Sequence, residues 1–117
     1  MKLSEHFSDY EFKCHCNNCT LVQPPPELIE VLEDVREYFD RPVSIMSGYR
    51  CSAHNKAVGG VRYSKHKLGI AADIIVAGIA PNSVYDYLYL KYEDTYGIGS
   101  YPYFTHIDVR KSKARWG

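Results

Sequence analysis

The 117-residue sequence predicts an α+β fold, a small antiparallel sheet with flanking helices, and three observations carry that prediction. Leu28, Val31, Leu32, Val35 and Phe39 recur at helical spacing with acidic residues between them. ADIIVA is a compact β-branched run, the signature of a buried strand. Helical and strand-like segments are interspersed, but the strands are too few and too short for a doubly wound parallel sheet.

In chain order, LVQPPPELIEVLEDVREYFDRP opens on three prolines that stiffen an extended lead-in. Pro26 suits the start of a helix, where its missing N–H costs nothing. The apolar repeat that follows makes a one-sided helix of about three turns, stopped by Pro42. VSIMSGYR reads as a short strand running into a turn at Gly48. SAHNKAVGGVRYS carries a Gly-Gly pair and no periodicity, so it reads as a loop. After ADIIVA, Asn82 or Ser83 is expected to cap a second helix through Tyr92, with Val84, Tyr87 and Leu88 inward and Gly97 past its end. Within GIGSYPYFTHIDVR, the alternating segment from Tyr103 to Val109 reads as another strand.

The length suits one domain, residues 1–117, with a Cys-rich arm over about the first 23 residues. Lys+Arg and Asp+Glu are balanced at 14 each, so no basic field points to nucleic acid. No apolar run approaches the length that spans a bilayer, and MKLSEHFSDYEF has no signal-like apolar stretch. Synthesis as a soluble cytoplasmic protein is therefore expected, and without a heptad or long apolar stripe a monomer is expected.

SKHKLGIAAD places His66 and Asp73 seven positions apart around Gly69, too far for one helical turn and of the wrong parity for one strand face. On the map above, His66 ends a loop, Asp73 stands at the mouth of the ADIIVA strand, and Gly69 lets the backbone reverse between them. The spacing then serves a turn that aims both side chains into one cleft, with His106 in FTHIDVR as a third candidate. Two imidazoles and a carboxylate suit zinc and leave a fourth position for water, the catalytic arrangement. The plainer alternative is that these residues cap and hydrogen-bond local backbone.

SGYRCSAHNKAVGG, SKHKLGIAAD, GIGSYPYFTHIDVR and the closing ARW together resemble the D-Ala-D-Ala metallopeptidases. These are zinc peptidases of bacterial cell walls and phage endolysins that share a fold with the hedgehog signalling domain. The resemblance runs from about Phe7 to Trp116. It implies one catalytic zinc held by His66, Asp73 and His106, and a peptidoglycan stem peptide or cross-link as substrate. It also implies that the cell wall is the site of action. By the same resemblance Arg50 binds a substrate carboxylate or polarises the scissile carbonyl, work that suits a planar guanidinium. Ser64 either hydrogen-bonds substrate or holds the loop.

Many relatives carry an acid three residues before the last ligand or a histidine two before it, where this chain has Tyr103 and Phe104. Neither takes up a proton at neutral pH. Asp108, two residues past His106 on the same strand face, is left as the general base, as the partner that fixes an imidazole, or as a ligand in place of His106. The missing acid keeps a second function in view, a zinc-stabilised binding module for cell-wall peptide or a protein partner.

CHCNNC supplies Cys14, Cys16 and Cys19, and Cys51 follows Arg50. Four thiolates suit a second, structural zinc, with His15 as a substitute ligand. Two disulfides or unpaired thiols are the other readings.

Overall fold

In the computed structural model, which describes residues 1–16 and 19–117, the first long element is helix α1 (Pro26–Phe39). Residues 17 and 18 of the Cys-rich arm lie outside the described residues. Pro26 sits in the first turn of α1, and Asp40, in the left-handed region at φ 52°, ends the helix before Pro42. Its 14 residues make about four turns, one more than the apolar repeat predicts. Leu28, Val31, Leu32 and Val35 are buried, whereas Phe39 is half-buried at the edge of the core.

The sheet has five strands: β1 (Val43–Ser47), β2 (Ala71–Val76), β3 (Gly97–Ser100), β4 (Thr105–Asp108) and β5 (Ala114–Trp116). Their spatial order is β1-β2-β4-β3-β5, antiparallel throughout except for the parallel pair β3–β5. The fold is thus α+β, with one parallel edge that the sequence did not announce. The last predicted strand is shorter than expected. Tyr101 N–H donates to the Phe104 carbonyl, so Tyr103 belongs to the turn joining β3 to β4 rather than to the strand.

Helix α2 (Ser52–Ala57) replaces part of the expected loop. With six residues it is too short to display an apolar repeat, and buried Asn55 anchors it through a side-chain amide bond to the Val61 carbonyl. Helix α3 (Pro81–Lys91) is not capped by Asn82 or Ser83. Pro81, with its preset φ and no N–H to satisfy, takes the first turn and draws both residues inside the helix. Val84 and Leu88 are buried and Tyr87 half-buried, as the pattern predicts. Gly97 is not a helix stop but the first residue of β3, with Tyr96 (φ 66°) making the left-handed turn before it.

α1 and α3 pack on one face of the sheet. Strand alternation sends Ile74, Ile98, Ile107 and Val76 into that core, all at most 2% exposed. The same alternation sends every second residue to the opposite face. Ser47, Asp73, His106, Gly99 and Trp116 form one row across all five strands, and Ala71, Asp108, Gly97 and Ala114 form the next. The described residues contain no helix long and apolar enough to cross a membrane.

Candidate metal centre

Register brings the first two groups together. Asp73 on β2 pairs directly with His106 on β4, the cross-strand position at which side chains on one face meet. His106 Nδ1 lies 3.0 Å from Asp73 Oδ1. The third group comes from above the sheet. Lys65–Leu68 forms a 3₁₀ turn whose first amides are satisfied by Ser64, since His66 N–H donates to Ser64 Oγ at 3.1 Å. Gly69, left-handed at φ 75°, then reverses the chain into β2. This reversal explains the seven-residue interval, because it drops His66 onto the sheet face beside Asp73.

Carbonyl chemistry fixes the tautomer of His66. Its Nδ1 is 2.7 Å from the Gly48 carbonyl, which only accepts, so Nδ1 carries the proton and Nε2 keeps its lone pair. That lone pair sits 3.2 Å from Asp73 Oδ1, close but misaligned, and Nε2 is buried without a hydrogen-bond partner among the described residues. Two buried acceptors facing each other across this gap call for a cation between them. One atom each of His66, Asp73 and His106 lies within 4.8 Å of the others, a spread that a single ion spans.

The partners of these three groups are equally specific. His106 Nε2 meets Asp108 Oδ2 at 2.7 Å, leaving Nδ1 to face Asp73. Asp108 is 0% exposed, and Arg110 grips both its oxygens, Nε on Oδ1 at 2.7 Å and Nη2 on Oδ2 at 2.8 Å. Gly97 makes room for this pair, since a Cβ there would lie 2.5 Å from Asp108 Oδ2 and from Arg110 Nε. Gly99 does the same for Trp116, whose indole would be 2.3 Å from an added Cβ. Gly48 has a third such role. A Cβ on it would come within 2.7 Å of Phe12 Cα, so only glycine lets the N-terminal arm lie against the turn that orients His66.

Charge follows this geometry. Burial pushes the Asp73 carboxyl up, but its contacts with His106 and His66 outweigh that and hold it at about 2. Burial likewise opposes charging of His106, yet its bonds to Asp108 and Asp73 raise its pKa. Asp108 is held well below the usual carboxylate range, its burial overcome by Arg110 and His106.

Arg50 lies where the turn after β1 meets the site. Its Nε donates to Ser47 Oγ at 3.2 Å, Nη1 to Asn55 Oδ1 at 3.0 Å, and Nη2 approaches Asp73 Oδ2 at 3.5 Å. Asp73 therefore presents one oxygen to the imidazoles and the other to the guanidinium. Among the described residues, three of the five Arg50 donors are used in this way, and two remain for a ligand.

A cleft of about 770 Å³ opens over these groups, lined among others by Arg50, Ser64, His66, Asp73, His106 and Arg110. Asp73 is the one carboxylate among its lining residues. Tyr103, one of the two positions where a base was sought, is 82% exposed and does not line the cleft, and Phe104 lies in the wall stacked on Tyr101. Arg110 and Trp116 were not singled out from the sequence. Parity offered a signal for the first, because 106, 108 and 110 alternate onto one face.

At the other end of the arm, the sulfur atoms of Cys14, Cys16, Cys19 and Cys51 lie within 4.8 Å of one another, and all four are thiols. The Cys19 thiol is pushed up to about 12, first by its hydrogen bond with Cys16, then by burial and by the thiols of Cys14 and Cys51.

Compared with known proteins, residues 5–108 match the family model described as Peptidase M15. No curated protein matches the chain.

Proposed function

The chain belongs to the peptidase M15 family, and on that footing we propose that it is a zinc-dependent peptidase cleaving amide bonds of peptidoglycan stem peptides or their cross-links, with the cell wall as its site of action. The observation that carries this reading is the buried, partnerless Nε2 of His66 turned towards Asp73 Oδ1 beside His106 Nδ1. His66 Nε2, Asp73 Oδ1 and His106 Nδ1 would hold the ion. When bound there, zinc supplies Lewis acidity, which polarises a carbonyl and makes water a nucleophile near neutral pH.

The protein's own residues do the rest. The Gly48 carbonyl keeps the His66 proton on Nδ1, and Asp108 keeps the His106 proton on Nε2, so each imidazole offers its other nitrogen to the ion. Buried and gripped by Arg110, Asp108 is placed to fix His106 rather than to take a proton from solvent. Arg50, held by Ser47 and Asn55, offers its two remaining N–H groups to a substrate carboxylate or to the oxygen that gains charge. Tyr101, Phe104 and Trp116 line the same cleft and offer it an aromatic surface.

Turnover of a synthetic stem peptide ending in D-Ala-D-Ala tests the proposal. Release of product in excess of enzyme is expected. Stoichiometric binding without release would instead support a binding module, the reading favoured by the lack of a second carboxylate in the cleft. Asp108→Asn is expected to weaken zinc affinity about 10- to 100-fold, read by competition with a chromogenic chelator, while leaving the far-ultraviolet circular dichroism unchanged.

A further inference from the structure

We propose that Cys14, Cys16, Cys19 and Cys51 bind a second, structural zinc ion as four thiolates, and that this ion fastens the N-terminal arm to the turn carrying Arg50. The site lies outside the cleft, and its metal occupancy stands independently of the function proposed above.

The distances are those of a metal site, not of disulfides. Zinc–sulfur bonds of about 2.3 Å in a tetrahedron put the sulfurs about 3.8 Å apart, against about 2.05 Å in a disulfide. Cys14 Sγ and Cys51 Sγ are 3.8 Å apart, as are Cys51 Sγ and Cys16 Sγ, while Cys16 Sγ and Cys19 Sγ are 3.2 Å apart. The Cys16–Cys19 pair is closer than the other two but far from bonded, and all four sulfurs lie within 4.8 Å of one another, as ligands of one ion would. Four sulfurs from two stretches of chain, the arm and the turn after Arg50, gather here around one centre. His15 is not needed as a ligand, and its ring packs edge-on against His54 at 6.1 Å.

The backbone shows what such an ion would secure. Cys51 N–H donates to Cys14 Sγ at 3.4 Å, and His54 N–H to Cys51 Sγ at 3.5 Å, so the arm and the Arg50 turn already meet at these sulfurs. Tyr49 N–H donates to the Phe12 carbonyl, and Arg50 N–H to the His66 carbonyl. Residues 49–51 are thus stitched alternately to the arm and to the loop of the first metal centre. On binding, each thiol gives its proton to solvent as its sulfur–zinc bond forms, so no oxidant is required.

The test uses the full chain purified under reducing conditions with zinc. Metal analysis is expected to find two zinc ions per wild-type chain and one in His66→Ala. A thiol reagent is expected to find all four cysteines shielded until a strong chelator is added. Exchange of cobalt for zinc should give thiolate-to-metal charge-transfer absorption in both chains, and Cys19→Ser should lose one zinc. The proposal is overturned by cysteines that react at once in the native wild-type chain, by absence of the charge-transfer band, or by a mass lower by two hydrogens per bridge. Should His66→Ala not fold, the wild-type thiol and cobalt measurements decide by themselves. A single metal with the thiolate band would uphold this site and refute the histidine centre, and a single metal without the band would do the reverse.

Discussion

His66→Ala is expected to lose the cleft metal and, with it, cleavage of purified cell wall, by about a thousand-fold or more. The expectation follows from how few groups stand ready to take the place of the missing one. The atom removed is a buried nitrogen that has no hydrogen-bond partner among the described residues, whereas the remaining pair, Asp73 and His106, closes on itself at 3.0 Å. An alanine here would leave those two as a plain hydrogen-bonded pair, content without an ion. The fold should survive, because His66 lies on the sheet face opposite the core of Ile74, Ile98 and Ile107 and contributes no apolar packing to it. Metal content and product release, measured on the same preparation with circular dichroism as the fold control, check the result. Full activity in a chain shown to lack the metal would refute the mechanism.

Arg50→Lys is expected to lower kcat/KM by about 10²- to 10³-fold while zinc content stays unchanged. The charge is kept, so a loss of this size would come from geometry. A guanidinium reaches Ser47, Asn55 and Asp73 at once and still has two N–H groups to offer, but an ammonium on a flexible stem cannot span those directions. The way the loss divides is itself informative. A change confined to KM would assign Arg50 to a substrate carboxylate, and a change in kcat would assign it to the oxygen that gains charge. Equal kinetics for the two chains would remove Arg50 from the machinery.

Much of the site was legible because strand parity is a strict rule. His106 and Asp108 share a face by their spacing alone, and so does Arg110, which that rule would have caught had it been carried one step further. Asp73 was legible as a polar residue in an otherwise apolar strand. The glycines were less transparent. Gly97 was expected only as a stop past the second helix, yet GIGS is β3, because Gly97 and Gly99 leave room for the Asp108–Arg110 pair and for Trp116 against the sheet. Helix α2 escaped notice since six residues held by Asn55 carry no apolar repeat. The parallel β3–β5 pairing depends on a return of the chain that no local pattern encodes. The four cysteines announced a cluster, but its arrangement needed the arm to be laid against the Arg50 turn, a contact that hinges on the missing side chain of Gly48.

The account turns on one ion shared by three side chains, and anomalous diffraction at the zinc edge tests that most directly. Crystals grown with zinc should show a peak about 2.0–2.2 Å from His66 Nε2, Asp73 Oδ1 and His106 Nδ1 together. A map with zinc freely available and no peak there, His66 Nε2 still facing Asp73 across an empty gap, would contradict it.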